Sequence, residues 1–373
     1  MIVAVPREAA VKERRVALVP ETVSKFTKAN VAVSVQRGAG ESASFPDDLY
    51  VQAGASLAAD IASLAAAADV FVTVGRPGDD AIAAMRPNSV VVGFLNPLGD
   101  AAFTQRLAAA NLTALAMEMI PRITRAQSMD ALSSQSNIAG YKAVLLAATA
   151  LPKFFPMLTT AAGTIRPAKA LILGAGVAGL QAIATARRLG AVVSGYDVRA
   201  VVKEQVASLG ASFLEFDLGE DAQAAGGYAK ELTPEQQERQ RAWMVEQIGA
   251  NDVVITTALV PGRKAPVLIT KAAVAAMKPG SVIVDLAAEA GGNCELTVAD
   301  RVIATPNGVT IVGTTNLPGT MPADASRLYS RNVHALLSPW IKDGALEIDM
   351  NDEVAKGAIV ASGGRALLGG NAS

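Results

Sequence analysis

The chain has 373 residues, of which 51% are hydrophobic and 18% are charged. This composition is too apolar for a disordered chain and too mixed for a fibrous one, so it predicts a globular protein of about two domains. The 33 Lys and Arg residues nearly balance the 34 Asp and Glu residues, and the net charge is −1. A chain so nearly neutral has no general attraction to nucleic acid, and no nucleic-acid partner is expected.

No stretch of the sequence approaches the ~18 to 20 apolar residues that a membrane-spanning helix needs. The N-terminus also lacks the features of a signal peptide. Cys294 and His334 are the single cysteine and the single histidine, too few for a disulfide or for the usual structural zinc site. His334 lies in an apolar periodic stretch, which indicates packing. We expect a cytoplasmic chain with no transmembrane segment and no metal.

Short β-rich runs alternate with Ala-rich helical stretches from the start of the chain. The predicted strands are Ile2–Val5, Val31–Val35, Val70–Val74, Val90–Phe94 and Leu112–Ala116. The segments Pro20–Lys28, Ala55–Ala67 and Ala101–Ala109 are long enough to be crossover helices between parallel strands. This alternation predicts a doubly wound α/β domain.

A polar stretch from Arg122 to Asn137, followed by a helix to about Ala150, is interpreted as a crossing between domains. A second series of strands follows, at Ala170–Leu173, Val192–Tyr196, Val253–Thr256, Val282–Leu286 and Val309–Val312. A helix over Ala323–Leu337 would then return to the first domain. The runs Ala345–Met350 and Gly357–Ala361 predict a C-terminal β-hairpin.

The predicted fold class is therefore α/β, with two Rossmann-like, doubly wound parallel-sheet domains and a C-terminal β-hairpin. Residues 1–130 and 320–373 would form a discontinuous first domain, and residues 131–319 the second.

The second domain opens on a G-x-G-x-x-G motif formed by Gly174, Gly176 and Gly179, directly after a predicted strand and at the start of a helix. Gly174 would permit the tight turn, Gly176 the approach of a pyrophosphate and Gly179 the close packing of helix on strand. The first helix amides, at Val177 and Ala178, would hold the phosphates. In this context the motif predicts dinucleotide binding.

Asp197 ends the next predicted strand, about 20 residues after the glycines, where the dinucleotide fingerprint places an acidic residue. Its carboxylate can accept hydrogen bonds from both hydroxyls of the adenosine ribose and would repel a 2′-phosphate. NAD is therefore favoured over NADP. Arg199 leaves the alternative open, because it could pair with such a phosphate.

A dehydrogenase that acts on a hydroxyl or an amine usually needs a His, Lys or Tyr to move a proton. Hydride exchange between two nicotinamides releases no proton at the reacting carbons, so positioning and exclusion of water could suffice. Arg122, Gln127, Asp130 and Ser133 lie in the polar crossing as a hydrogen-bonding set with no obvious base. A helix cap with interdomain ion pairs is the alternative interpretation of this set.

Several long segments closely resemble domain I of the proton-translocating transhydrogenases, and the resemblance covers nearly the whole chain. They are Met119–Tyr141, Gly174–Gly190, Asp197–Ala200, Ala225–Glu231, Ile255–Gly262 and Asp285–Cys294.

The resemblance implies roles for individual residues. Arg122, Gln127, Asp130 and Ser133 match residues around the nicotinamide and its ribose, and Tyr228 matches the tyrosine of a mobile loop that acts as a lid. These five would be the catalytic set. The cofactor-binding set would add to the first four residues and to the motif Val198 and Arg199 beside Asp197, together with Thr257, Ala258 and Leu259.

The resemblance also implies the assembly. The chain would form a homodimer with exchange of the terminal hairpin, and would pass hydride between NAD(H) bound here and NADP(H) on domain III of another chain. A transhydrogenase membrane domain on a further chain would couple this transfer to proton translocation. The chain would then lie peripherally at the inner face of the bacterial cytoplasmic membrane.

Alanine dehydrogenase is the nearest rival, since it is similar at Pro6-Arg-Glu, at Arg15-Val-Ala-Leu and at the glycine motif. Its catalytic lysine and histidine would fall near Gly75 and Asn96, so both side chains are missing here. The aspartate of its strand-end Gly-Gly motif is replaced by Glu289. An amino-acid oxidoreductase and a catalytically silent NAD-binding module remain the alternatives.

Overall fold

The computed structural model describes residues 1–216, 234–260 and 262–367. The chain divides into two compact units, of which unit 1 comprises Met1–Ser136 with Pro318–Ser373 and unit 2 comprises Asn137–Leu317. Among the described helices, none combines the length and the apolar character that crossing a membrane requires.

The strands and helices alternate along most of the chain. The strands are β1 (Ile2–Val5), β2 (Ala32–Gln36), β3 (Ser56–Ala58), β4 (Val70–Val72), β5 (Val90–Gly93), β6 (Thr113–Ala116), β7 (Leu158–Thr160), β8 (Gly163–Ile165), β9 (Lys169–Leu173), β10 (Val192–Tyr196), β11 (Ser212–Phe213), β12 (Val253–Thr256), β13 (Val282–Asp285), β14 (Val302–Ala304), β15 (Thr310–Val312), β16 (Ile341–Lys342), β17 (Ala345–Leu346), β18 (Ile359–Ser362) and β19 (Arg365–Ala366). The α-helices are α1 (Pro20–Lys28), α2 (Asp47–Gln52), α3 (Ile61–Ala67), α4 (Asp79–Ala84), α5 (Ala101–Ala109), α6 (Ala131–Ala150), α7 (Val177–Arg188), α8 (Lys203–Ser208), α9 (Pro234–Gly249), α10 (Lys271–Ala276), α11 (Pro322–Leu337) and α12 (Glu353–Ala358).

Unit 1 is built on a sheet whose described strands run in the order β19-β18-β6-β5-β4-β1-β2-β3. The strands from β6 to β3 pair in parallel, while β18 and β19 add an antiparallel edge. Val70 and Val72 pack into the cluster that holds α1 and α11, whereas Phe71 packs into the cluster that holds α3, α4 and α5. Helices therefore cover both faces, which explains why these strands are almost continuously apolar.

Unit 2 repeats this plan with the strand order β11-β10-β9-β12-β13-β15-β14. All of these pairs are parallel except β14 with β15. Ala170 and Ile172 of β9 pack with α6 and α7, and Leu171 and Leu173 pack with α9 and α10. Because α7 follows β9 on one face and α10 follows β12 on the other, a topological switch point lies between β9 and β12. The predicted α/β class with two doubly wound sheets is confirmed.

The prediction of a single helix over Ala55–Ala67 is wrong. Ser56–Ala58 forms the edge strand β3, and helix α3 begins only after Asp60, whose side chain accepts a hydrogen bond from the amide of Ser63 at 2.8 Å. Gly54, at φ +92°, ends the preceding turn. The Ala-rich composition favoured a helix throughout, but the cap and the pairing with β2 decide where it begins.

The C-terminal hairpin is present, but the predicted partners of its strands are wrong. Ala345–Leu346 pairs with Ile341–Lys342, and Ile359–Ser362 pairs with Arg365–Ala366 and also with β6. Asp343-Gly344 and Gly363-Gly364 form the two-residue turns, with both central residues at positive φ in each turn. Such turns join adjacent strands, so each run pairs with its neighbour across the turn.

Candidate nucleotide-binding site

The glycine motif of unit 2 forms a turn from β9 into α7 that side chains would block. Gly174 has φ +99°, and a Cβ added to Gly179 would lie 1.8 Å from the carbonyl oxygen of Gly174. By contrast, a Cβ added to Gly176, the N-cap of α7, would meet nothing within 4 Å. The turn is therefore closely packed on its inner side and open at Gly176, so a pyrophosphate could approach the backbone there.

Two neighbouring elements hold this turn. Thr257, directly after β12, donates its Oγ1 hydrogen bond to the carbonyl oxygens of Leu173, at 3.3 Å, and Gly174, at 3.2 Å. Gly140 of α6 lies so close to the start of α7 that an added Cβ would be 2.1 Å from the carbonyl oxygen of Ala178. The glycine at position 140 is thus a site requirement that the sequence motif did not reveal.

Asp197 follows β10 and lies beside the glycine turn. One carboxylate oxygen accepts from the amide of Ala175 at 2.8 Å, and the Nε and Nη2 atoms of Arg199 each donate to Asp197 at 2.9 Å. The Asp197 side chain is only 6% exposed. Burial raises the pKa of Asp197, but the hydrogen bonds from Arg199 and Ala175 outweigh it and hold the pKa below its ordinary value. Asp197 is therefore a pre-oriented anion at the end of the second strand.

The remaining predicted cofactor contacts of unit 2 lie around this turn and strand end. Val177 begins α7, and Ala178 follows it. Val198, next to Asp197, is 80% exposed, and Leu259 is 55% exposed. Ala258, between Thr257 and Leu259, is held by Asn293, whose side-chain amide makes hydrogen bonds to both its N–H and its carbonyl. No role for Asn293 was apparent from the sequence pattern.

In unit 1, the predicted polar set lies in a short continuous stretch. Gln127 is in a 3₁₀ turn over Thr124–Met129, and Asp130 follows it at the start of α6. Asp130 accepts from the amide of Ser133 at 2.8 Å and from its Oγ at 2.6 Å. This pair is a helix cap, the alternative that the sequence left open. Arg122 and Gln127 are exposed, and neither side chain has a hydrogen bond or ion pair with the part of the chain that the structure describes.

Tyr228, the predicted lid residue, lies outside the described residues. Of the groups that a proton-transferring dehydrogenase would need, His334 is half-buried in α11 and its ring packs edge-on against Phe26 at 5.2 Å. Burial and the nearby charge of Lys25 lower the pKa of His334. This histidine is a packing residue, as its apolar surroundings in the sequence indicated.

Unit 1 has a crevice at its own switch point, between the loops that follow β1 and β4, with a cavity of about 240 Å³. The loop after β1, Pro6-Arg-Glu8, has no glycine turn. The Glu8 carboxylate instead accepts hydrogen bonds from the amides of Val74, at 2.7 Å, and Gly75, at 2.9 Å. Burial raises the pKa of Glu8 to about 7, although these two hydrogen bonds oppose the shift. A dinucleotide would find neither the turn nor these amides available, so unit 2 is the candidate.

Comparison with known proteins agrees with this geometry. Residues 4–139 match the family described as "Alanine dehydrogenase/PNT, N-terminal domain", and residues 143–368 match "Alanine dehydrogenase/PNT, C-terminal domain". The chain is 46% identical to the first of the chains that make up NAD(P) transhydrogenase subunit alpha in Rhodospirillum rubrum, over 98% of this chain and 97% of that protein.

Solved structures give the same picture. A transhydrogenase from Sinorhizobium meliloti superposes with a TM-score of 0.90 at 46% identity, covering 99% of this chain and 100% of that one. An L-alanine dehydrogenase superposes with a TM-score of 0.81 at 25% identity, covering 98% and 97%. Family membership implies binding of a nicotinamide nucleotide. The chain therefore belongs to the alanine dehydrogenase/PNT family, as a relative of the transhydrogenase alpha subunits.

Proposed function

We propose that this chain is the NAD(H)-binding component of a proton-translocating transhydrogenase. One observation carries the proposal: the open turn at Gly176 lies beside the buried carboxylate of Asp197, in a chain 46% identical to a transhydrogenase alpha subunit over nearly its full length. When bound, the nicotinamide supplies or accepts the hydride.

Unit 2 would bind the adenosine and pyrophosphate parts of NAD(H). The amides of Val177 and Ala178 at the start of α7 would hold the pyrophosphate, and Asp197 would accept hydrogen bonds from the ribose hydroxyls. Arg199 already neutralises Asp197, so it is the group through which a 2′-phosphate could be tolerated. The loop of Thr257, Ala258 and Leu259 would complete the site beside the turn.

The residues of unit 1 would act on the nicotinamide end. Arg122 and Gln127 present exposed side chains without partners among the described residues, which leaves their donors available to a carboxamide or a ribose. Asp130 and Ser133 would contribute oxygen atoms while also capping α6. None of the four is an effective base, and transfer between two nicotinamides needs none at the reacting carbons.

Amino-acid oxidation is the weaker candidate. Gly75 and Asn96 stand where the resemblance places the lysine and the histidine of alanine dehydrogenases. Asn96 has φ +52°, a left-handed conformation that asparagine tolerates well. Neither residue can move the proton that oxidation of an amine releases.

The transfer would need partner chains, namely a domain that binds NADP(H) and a membrane domain, at which this chain would be peripheral on the cytoplasmic side. We also propose a homodimer. The hairpin β7–β8 carries exposed apolar side chains, among them Ile165 at 44% exposure, with Met157 just before it at 63%. Since β18 and β19 extend the sheet of their own chain, β7–β8 is the better candidate for a contact with a second copy.

Mixing the components tests the proposed function. The purified chain should quench or shift NADH fluorescence, should fail to reduce NAD with L-alanine, and should transfer hydride when an NADP(H)-loaded domain III of a transhydrogenase is added. Neither component alone should catalyse transfer. Reduction of NAD by the chain with L-alanine, or NADH binding without any transfer in the mixture, would refute the assignment.

A further inference from the structure

Asn293 lies in a turn that two glycines make possible. Gly291 and Gly292 have φ +95° and +82°, and an added Cβ at Gly292 would lie 2.9 Å from an oxygen of Asp285. The turn brings Asn293 to a position where it is 0% exposed. Only glycine takes two successive left-handed conformations without strain, so the Gly-Gly pair serves to place the asparagine that follows it.

The side chain of Asn293 binds the backbone of the loop after β12. Its Oδ1 accepts from the amide of Ala258 at 3.1 Å, and its Nδ2 donates to the carbonyl oxygens of Ala258, at 2.9 Å, and Pro266, at 2.8 Å. The amide group therefore pairs with Ala258 as a neighbouring strand would, at a point where no strand is present. Both of its donors and its acceptor are used.

This turn is itself anchored to the sheet by Asp285, which is also 0% exposed. Asp285 accepts hydrogen bonds from Thr256 Oγ1 at 3.0 Å, from the amide of Cys294 at 3.0 Å and from Thr297 Oγ1 at 2.6 Å. A buried carboxylate satisfied in this way holds its surroundings rigidly, because each partner left without it would be costly to bury.

The path continues from Ala258 to the glycine turn. Thr257 is the residue before Ala258, and its Oγ1 lies 3.2 Å from the carbonyl oxygen of Gly174. Asp285, Asn293, Ala258, Thr257 and Gly174 thus form a continuous series of hydrogen bonds and chain neighbours from the core to the turn. A shift of the Ala258 backbone would be felt at Gly174.

We infer that Asn293 is a positioning residue for the nucleotide site, which fixes the Thr257–Leu259 loop against the glycine turn and so sets the affinity for NAD(H). Asn293 would not touch the nucleotide. This inference rests on the proposed function, since it takes unit 2 to be the NAD(H) site.

Asn307 provides a matched control, because its side-chain amide also ties down backbone in unit 2. Its Nδ2 donates to the carbonyl oxygens of Val274, at 3.0 Å, and Met277, at 3.3 Å, at the end of α10. Asn307→Ala should lower the melting temperature and leave NADH affinity unchanged. Asn293→Ala should weaken NADH binding by about tenfold, since it removes several buried hydrogen bonds that orient the loop.

The experiment titrates NADH by fluorescence into the wild-type chain and both variants, with folding checked by circular dichroism. Asn293→Ser, which keeps one hydroxyl donor, should give an intermediate affinity and serves if the alanine variant does not fold. Wild-type affinity in the Asn293 variants, or an equal loss in Asn307→Ala, would overturn the positioning role. A wild-type chain that binds no NADH would overturn the proposed function and this inference together.

Discussion

Among single residues, Asp197 concentrates the discrimination between nucleotides. Its carboxylate is 6% exposed and oriented by Ala175 and Arg199, so the loss of its charge should act on the ribose rather than on the fold. Asp197→Asn should weaken NADH binding by about tenfold, because a charge-assisted hydrogen bond is roughly twice as strong as a neutral one. NADPH should bind the wild-type chain more weakly than NADH in the same titration.

Asp252 is a suitable control for this variant. It too accepts from a backbone amide, that of Lys169 at 2.8 Å, and from a cation, Lys153 at 2.8 Å. Asp252→Asn should therefore reproduce the loss of an ion pair in unit 2 without a loss of NADH affinity. Equal affinities for the two variants, or a wild-type preference for NADPH, would remove Asp197 from the ribose site.

Among the secondary-structure elements, the C-terminal helix α12 is connected to the polar stretch of unit 1 through Asp352. This residue caps α12 by accepting from the amide of Val354 at 2.7 Å, and it receives two hydrogen bonds from Arg125, at 2.7 and 3.0 Å. The Arg125 guanidinium, opposed by burial and helped by the backbone amides, holds the pKa of Asp352 below its ordinary value of 3.8. The ionised form is therefore the one that stabilises the fold.

The sign of the pH dependence follows from this lowered pKa. The stabilisation by Asp352 is complete above the ordinary pKa and is lost as the pH falls through the lower, folded-state pKa. Asp352→Asn should lower the melting temperature at pH 6, and the difference from wild type should shrink towards pH 3. Arg125→Gln should have a similar effect, and the double variant should add little to either single one. A difference that stays constant with pH would contradict the role of the ion pair.

For the molecule as a whole, the hairpin β7–β8 offers the test of the proposed dimer. Ile165→Lys places a charge among its exposed apolar side chains and should shift the mass measured by light scattering from dimer towards monomer. Val302→Lys, on the edge strand β14 and 63% exposed before substitution, should leave the mass unchanged. A dimer that tolerates the Ile165 variant, or a wild-type monomer, would contradict the proposal.

Most of the sheet could be predicted from the sequence because its signals are local. Strands β1, β10 and β12 have the predicted limits, since each is an apolar run bounded by turn residues and buried on both faces. The glycine motif and Asp197 could be found for the same reason, because the turn requires particular residue types at fixed spacing. The overlooked turns at Asp343-Gly344 and Gly363-Gly364 were also local signals, and they decide the pairing of the C-terminal strands.

The two doubly wound units, the glycine turn and the acidic residue at the end of the second strand could all be inferred from the order of the amino acids. Two further requirements became visible only in the folded chain: Gly140 must be small to pass the carbonyl oxygen of Ala178, and Asn293 holds Ala258, which is 35 residues away. The reason is physical, because a turn or an apolar run is specified by neighbours in the chain, whereas a buried amide acquires its partners only when distant segments pack together.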